Sequence, residues 1–97
     1  MTIYKVLLRP RAKKAWDRLD ASICRQLLKK LDERRRDPHV PSARLSGMPG
    51  CYKIKLRKAG VRLVYQVRDE ELVILVLAIG PRDRNEVYAS AAAELER

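Results

Sequence analysis

The sequence has few of the residues that most enzymes use for acid–base or metal chemistry. It holds one histidine, His39, and two cysteines, Cys24 and Cys51, among 97 residues. Zinc sites need clustered cysteine and histidine ligands, and two distant cysteines make no disulfide framework. His39 follows Pro38 in a loop-forming stretch, so we expect it to be exposed. The sequence therefore offers neither a metal site nor a Ser-His-Asp arrangement, and we expect no cofactor.

Glycine and long apolar runs are also scarce. The stretch Gly47–Gly50, GMPG, lacks the spacing and the lysine of a phosphate-binding loop. The longest strongly apolar run, Leu72–Ile79, is far too short to cross a bilayer. The first residues, MTIYKVLLRPRAKK, lack signal-peptide architecture, because their charges follow a short strand-like run. We therefore expect a cytoplasmic protein that has no membrane partner.

Positive charge is what the chain has in excess. Lysine and arginine total 22 against 12 aspartate and glutamate residues, which gives a formal net charge of +10. Such a balance favours polyanionic partners, such as nucleic acid, an acidic membrane surface or an acidic protein. Hydrophobic residues make up 46% of the chain, enough for a core without disulfides. The length predicts one domain over residues 1–97.

A helical hairpin is predicted after a first strand over Thr2–Leu8. Pro10 suits the first turn of a helix, where no N–H is needed. Asp20 suits the N-cap of a second helix, and Asp37-Pro38 ends that helix. The apolar residues recur at i, i+3, i+4 and i+7: Ala12, Ala15, Trp16 and Leu19 in the first helix, and Cys24, Leu27, Leu28 and Leu31 in the second. On this stripe, Cys24 is expected to be a small buried hydrophobe.

Three strands and a short helix are predicted for the second half of the chain. Cys51–Val67 alternates apolar and charged residues on both sides of a glycine-containing turn, which predicts a β-hairpin. Leu72–Ile79 has no polar face and is expected to lie inside the sheet, with the first strand at the edge. A last helix is predicted near Asn85–Leu95. The expected fold is α+β: a small antiparallel meander sheet of about four strands, with the helical hairpin on one face.

The hairpin concentrates positive charge on one face of the predicted sheet. Side chains alternate along a strand, so one face carries Lys53, Lys55, Arg57 and Arg62. With a loop over Lys58–Val61, Arg57 would lie across from Arg62. Like charges that face each other across strands are destabilising. We therefore expect this face to stay open and to bind an anion such as a phosphate backbone.

Cations beside a phenol suit phosphoryl transfer on RNA. Cations stabilise the charge that develops on the phosphate and lower the pKa of a neighbouring lysine or tyrosine. RNA carries its own nucleophile, the 2′-hydroxyl group. The candidate residues are Lys53, Lys55, Arg57, Arg62, Arg82, Arg84 and Tyr88. On this pattern alone, a face that only binds RNA or an acidic partner is the simpler interpretation, because catalysis also requires geometry.

The stretch RLSGMPGCYKIKLRKAGVRLVYQV, with the later GPRDRNEVY, resembles the RelE family of bacterial toxins. The resemblance runs over nearly the whole chain. It implies a type II toxin that cleaves mRNA in the ribosomal A site by attack of the 2′-hydroxyl group and so stops translation. The implied partners are the ribosome, mRNA and an acidic or amphipathic RelB-like antitoxin.

The same resemblance implies the catalytic residues. The YKIKLR motif supplies Lys53 and Lys55, and the GVRLVYQV motif supplies Arg62. The PRDRNEVY motif supplies Arg82 and Tyr88. In the family, the lysines and the tyrosine are implicated in activating the 2′-hydroxyl group. The first arginine holds the scissile phosphate, and the second is the proposed proton donor to the leaving group.

Further RNA contacts are expected outside this set, at Arg57 and Arg84 and on the second helix. The helix residues are Lys29, Lys30, Arg34, Arg35 and Arg36. This basic surface could bind ribosomal RNA, and a solvated helix face explains it equally well. The chain departs from the family at Pro81, where a basic residue is usual, and at Ser46, where an arginine is common.

Two other functions stay open. ParE-like toxins share the fold class, inhibit DNA gyrase and lack this catalytic set. A non-catalytic RNA-binding module could place its cations anywhere and would not need the phenol. The joint presence of Arg62, Arg82 and Tyr88 favours the endoribonuclease.

Overall fold

The computed structural model describes residues 2–96, apart from the side chain of Arg84. The elements, in chain order, are β1 (Lys5–Leu8), α1 (Pro10–Asp17), α2 (Ala21–Arg36), β2 (Cys51–Leu56), β3 (Val61–Arg68), β4 (Val73–Pro81) and α3 (Glu86–Leu95). Short 3₁₀ turns lie at Pro41–Ala43 and Asp83–Asn85. None of the helices in this part of the chain is both long and apolar enough to span a membrane. The order of strands and helices is the predicted one.

The four strands form one mixed sheet in the order β1-β4-β3-β2. Strands β2, β3 and β4 make the predicted antiparallel meander, and β1 lies at the predicted edge. However, β1 pairs with β4 in parallel, with Lys5 opposite Val73, so the prediction of a wholly antiparallel sheet was wrong. Short turns join antiparallel neighbours, whereas a connection through helices can return the chain in the parallel direction.

Helices α1 and α2 pack on one face of the sheet, as predicted. Pro10 starts α1, and the side chain of Asp20 caps α2 by accepting a hydrogen bond from the Ile23 N–H at 2.9 Å. The apolar stripe of α2 is narrower than predicted, because Leu28 is 56% exposed and Cys24 is only half-buried. Leu27 and Leu31 face the sheet. Because successive residues of a helix are rotated by about 100°, Leu28 points away from the sheet.

Helix α3 packs on the opposite face of the sheet, against a second apolar cluster. Val87 and Ala91 of α3 are buried there with Val64 of β3 and Leu77 of β4. The face that carries the basic residues was expected to be open, and this expectation was wrong for its β3–β4 side. The side chains of β4 are apolar on both faces of the sheet. Each face of the sheet is therefore covered by helices, which bury these side chains. The cationic side chains of β2 lie beyond the edge of α3.

The β2–β3 hairpin has the predicted faces in a different register. Lys55 lies opposite Arg62 and Lys53 lies opposite Val64, so the predicted pairing of Arg57 with Arg62 was wrong by two residues. A shift of two residues keeps every side chain on its face. The turn closes at Gly60, whose φ of +66° is easily adopted by glycine. The Gly60 N–H donates to the Leu56 carbonyl at 2.9 Å.

A polar cluster ties three loops together at the other end of β3. The Tyr4 hydroxyl donates to Asp69 Oδ1 at 2.6 Å, and His39 Nε2 lies 3.0 Å from the same oxygen. The Tyr4 hydrogen bond lowers the pKa of Asp69, and His39 acts in the same direction. The Asp69 carboxylate in turn raises the pKa of Tyr4. His39 is exposed, as predicted, and its contact with Asp69 gives it a structural role in this cluster.

Candidate active site

Four basic residues of the β2–β3 hairpin share one side of the sheet, here termed the cationic face: Lys53, Lys55, Arg57 and Arg62. The alternation of β2 produces this side, because Tyr52 and Ile54 point the other way into the core under α1 and α2. Lys55 and Arg57 are exposed, whereas Lys53 and Arg62 are partly buried. The charge therefore lies where the helical layer above the sheet ends.

Charge repulsion acts within this face. The neighbouring ammonium of Lys53 lowers the pKa of Lys55, and loss of hydration beside the surrounding protein atoms and the guanidinium groups of Arg62 and Arg57 lower it further. A lysine in such surroundings gives up its proton more readily than an ordinary one. Lys55 is therefore suited to proton transfer.

A cavity of about 230 Å³ opens at the end of the cationic face. Arg82, which lies twenty residues after Arg62 in the sequence, enters its wall because the Arg82 N–H donates to the Gly60 carbonyl at 2.9 Å. The cavity is lined by Lys55, Leu56, Arg57, Gly60, Val61, Arg62 and Arg82. Four of these side chains are cationic and none is acidic. The composition of the cavity suits a phosphate group.

Tyr88 meets this cluster through Arg62. Arg62 Nη1 donates to the Tyr88 hydroxyl at 3.0 Å, and the guanidinium carbon lies 5.5 Å from the centre of the tyrosine ring. Tyr88 is placed by α3, whose buried residue Val87 anchors the start of that helix on the sheet. The five residues that the resemblance assigns to catalysis thus lie together: three line the cavity, Lys53 adjoins Lys55, and Tyr88 contacts Arg62.

This arrangement can neutralise charge and place a phenol beside a bound phosphate. Cations held in place before a reaction stabilise the charge that develops on a phosphate without reorganising water. Within residues 2–96, no group of three or more histidine, cysteine, aspartate or glutamate side chains is placed to hold a metal ion. Cys51 is fully buried beside the site, and burial raises its pKa to about 11, so the thiol is a packing group.

The predicted RNA-binding residues of α2 do not join this site. Helix α2 covers the other side of the sheet, and its last turns carry their own acidic partners: Asp32 pairs with Arg35 and Arg36, and Glu33 pairs with Lys30. Lys29 is exposed. This surface therefore lies apart from the cavity of the cationic face.

Arg34 departs from the expectation that it belongs to the basic surface of α2. Its Nη1 donates to the Tyr65 hydroxyl at 2.8 Å and to the Lys53 carbonyl at 3.1 Å. Its guanidinium carbon also lies 5.7 Å from the Tyr65 ring centre. These contacts give Arg34 a structural role between α2 and the sheet. The side chain of Arg84, which was also predicted to contact RNA, lies outside the described part of the chain.

Asn85 contacts the site and was not among the predicted residues. Its Oδ1 accepts a hydrogen bond from Arg62 Nη1 at 3.3 Å. Its φ of +56° is a left-handed conformation, which asparagine adopts more readily than most residues. The only sequence feature that could have pointed to Asn85 is its place between Arg84 and the last helix. No local pattern in the sequence predicts its contact with Arg62 on β3.

Comparison with known proteins places this geometry in a family. The family model described as ParE toxin of type II toxin-antitoxin system, parDE, matches residues 6–86. The mRNA interferase toxin RelE of Escherichia coli (strain K12) is 48% identical over 85 residues, which cover 88% of this chain and 90% of that protein.

Solved structures agree with the sequence comparison. A double arginine-to-alanine variant of the E. coli toxin RelE in the free state has a TM-score of 0.90 at 42% identity, over 98% of this chain and 99% of that one. The toxin chain of the intact E. coli RelBE toxin-antitoxin complex has a TM-score of 0.81 at 46% identity, over 84% of this chain and 99% of that one. The sheet and the helices therefore follow a known toxin architecture.

Proposed function

Because the chain belongs to the RelE/ParE family of type II toxin-antitoxin toxins, we propose that it is an mRNA interferase. In this proposal, residues 1–97 act as one toxin domain that cleaves mRNA on the ribosome and stops translation. The observation that carries the proposal is the meeting of Lys55, Arg62 and Arg82 at one cavity, with Tyr88 hydrogen-bonded to Arg62. A toxin that acted by surface charge alone would not require this convergence.

The proposed reaction is attack of the 2′-hydroxyl group on the neighbouring phosphate. Tyr88 and the lysines Lys53 and Lys55 assist removal of the hydroxyl proton. Arg62 holds the phosphate and the charge that develops on it. Arg82 gives a proton to the departing 5′-oxygen, while the P–O5′ bond breaks and a 2′,3′-cyclic phosphate forms.

The residues of this site explain a dependence on the ribosome. Arginine is a weak acid near neutral pH, so proton transfer contributes less than it would from a group whose pKa matches the pH. Holding the reacting atoms in line can compensate, because correct orientation removes much of the entropic barrier. We therefore propose that the ribosome supplies this orientation by presenting mRNA in its A site, and that cleavage takes place in the cytoplasm.

We propose a RelB-like antitoxin as the protein partner. The RelBE complex provides the precedent in the family. The antitoxin could cover the cationic face, or it could displace α3, which holds Tyr88. Both routes separate RNA from Arg62 and Tyr88 in this chain.

The decisive experiment expresses the protein from a tightly regulated promoter and maps new mRNA 5′ ends. We expect cuts within translated reading frames and none in the same message after its start codon is removed. The Arg82→Ala variant, expressed at the same level, serves as the control and should produce few cuts. Growth arrest with DNA damage and intact mRNA would overturn the proposal in favour of gyrase inhibition.

The chemistry of the cut ends provides a second test. Purified ribosomes programmed with mRNA should release fragments that end in a 2′,3′-cyclic phosphate. Fragments that end in a 3′-hydroxyl group would contradict attack by the 2′-hydroxyl group, because a water nucleophile would then have cleaved the other P–O bond.

A further inference from the structure

Asn85 occupies the N-cap position of α3 but does not cap the helix. An N-cap asparagine usually has extended backbone and accepts a hydrogen bond from an N–H two or three residues further on. Asn85 instead has φ +56° and ψ +24°, and its side chain makes no cap hydrogen bond. Its Oδ1 points to Arg62, whose Nη1 lies 3.3 Å away. The chain therefore uses this carboxamide for a contact with β3.

The hydrogen bonds of Arg62 are divided between its nitrogens. The two hydrogens of Nη1 have two acceptors, the Tyr88 hydroxyl at 3.0 Å and Asn85 Oδ1 at 3.3 Å. Within residues 2–96, no described side chain accepts from Nε or Nη2 of Arg62. These two nitrogens form a planar fork that matches two oxygens of a phosphate. If the guanidinium rotated, Nε and Nη2 would no longer face the phosphate, and Nη1, which already donates to Tyr88 and Asn85, would take their place.

We propose that Asn85 is a positioning residue that keeps the Nε/Nη2 edge of Arg62 turned to the scissile phosphate. This inference rests on the proposed function and adds to it a residue that acts through Arg62. Tyr88 alone could hold one hydrogen of Nη1 and would leave the guanidinium plane able to pivot. The second acceptor, supplied from the residue before α3, fixes that plane.

The backbone around Asn85 supports this role. Residues other than glycine with left-handed backbone are strained, and such strain persists where the surroundings hold it in place, often at functional sites. Here the segment is held at its start by the hydrogen bond from the Arg82 N–H to the Gly60 carbonyl, and at its end by buried Val87. Both points of attachment lie beside Arg62, so the segment can transmit a fixed orientation to it.

Glycine and alanine substitutions separate the side chain from the backbone. Asn85→Gly removes the carboxamide and tolerates a positive φ, whereas Asn85→Ala removes the carboxamide and resists that φ. We expect both variants to lower the kcat of mRNA cleavage on ribosomes by about ten- to hundredfold with little change in KM. Asn85→Gly should keep the thermal stability of the wild type. If only the backbone matters, Asn85→Gly will cleave at the wild-type rate, and the inference fails.

Two further measurements test the action through Arg62. In an Arg62→Ala background, Asn85→Gly should cause no additional loss of kcat, because the group to be positioned is gone. NMR of the Arg62 guanidinium should show restricted rotation about the Nε–Cζ bond, which exchanges Nη1 with Nη2, in the wild type and faster rotation in Asn85→Gly. An additive loss of kcat, or equal rotation rates, would overturn the inference.

The NMR measurement does not depend on cleavage. If the wild-type protein cleaves mRNA and Asn85→Gly changes neither kcat nor rotation, the proposed function stands and the positioning role is wrong. If the wild-type protein does not cleave, the proposed function fails, and the rotation rates alone decide whether Asn85 holds Arg62.

Discussion

Lys55 lies directly across the β2–β3 pair from Arg62, so two cations face each other on adjacent strands. Opposed like charges destabilise a sheet, and Lys53 and Arg57 add more positive charge to the same surface. The arrangement is reasonable where an anion is bound, because a phosphate removes the repulsion. The pair therefore connects the fold of the hairpin to the proposed chemistry.

Replacing Lys53 should change the titration of Lys55. The Lys53 ammonium is the largest cause of the lowered pKa of Lys55, so Lys53→Met should raise that pKa toward the usual 10.5. NMR of the lysine side chains across the alkaline range measures it directly. Lys58→Met, on the turn next to the face, is the matched control and should leave the Lys55 midpoint unchanged. An unshifted midpoint in Lys53→Met would show that the two ammonium groups do not interact.

The Arg82 side chain is expected to be essential for cleavage and dispensable for folding. Arg82→Ala removes a cation from the cavity and should lower the single-turnover rate on programmed ribosomes by about 10²- to 10³-fold. The backbone hydrogen bond from residue 82 to Gly60 remains possible in the variant. Arg25→Ala, on the exposed side of α2, controls for the loss of one positive charge. Equal rates for the two variants would remove Arg82 from the mechanism.

Tyr88→Phe tests the hydroxyl apart from the ring. Phenylalanine keeps the packing of α3 and the contact of the ring with Arg62, but it cannot accept the 3.0 Å hydrogen bond. We expect cleavage to fall by about 10²-fold or more, as when a group that moves a proton is lost. The free energy of unfolding should change by about 1 kcal/mol or less. Wild-type cleavage by Tyr88→Phe would assign the 2′-hydroxyl proton to another group.

Asp69 should make the stability of the protein fall at acidic pH. Its folded-state pKa lies below the ordinary 3.8 because Tyr4 and His39 favour the carboxylate. The resulting stability is present above the unfolded-state pKa and is lost as pH falls through the folded-state pKa. The free energies of unfolding in urea of the wild type and Asp69→Asn should therefore differ above the ordinary pKa of 3.8 and converge as the pH falls below it. Glu70→Gln, in the same turn, is the control, and a constant difference across pH would contradict the assignment.

Local patterns predicted much of this fold because they depend on neighbours in the chain. The Asp20 cap and the helical start at Pro10 are set by backbone chemistry within a few residues. Side-chain alternation alone places Lys53, Lys55, Arg57 and Arg62 on one face. The predicted pairing of β2 with β3 was wrong by two residues, but a shift of two residues leaves each side chain on the same face. The wholly apolar β4 could only be an interior strand.

Contacts between distant residues required the tertiary structure. The parallel pairing of β1 with β4 depends on the path of the chain through two helices, which periodicity does not encode. The inward turn of Arg34 depends on the position of Tyr65, and the shared cavity of Arg62 and Arg82 depends on the Gly60 turn.

The sequence by itself determined the residue types of the site and the side of the hairpin on which its cations lie, because both follow from composition and the two-residue period of a strand. The tertiary structure alone decided that Lys55 faces Arg62, that α3 covers part of the same side, and that Asn85 accepts a hydrogen bond from Arg62. These outcomes depend on turn length and on packing across the sheet, which act between residues far apart in the chain.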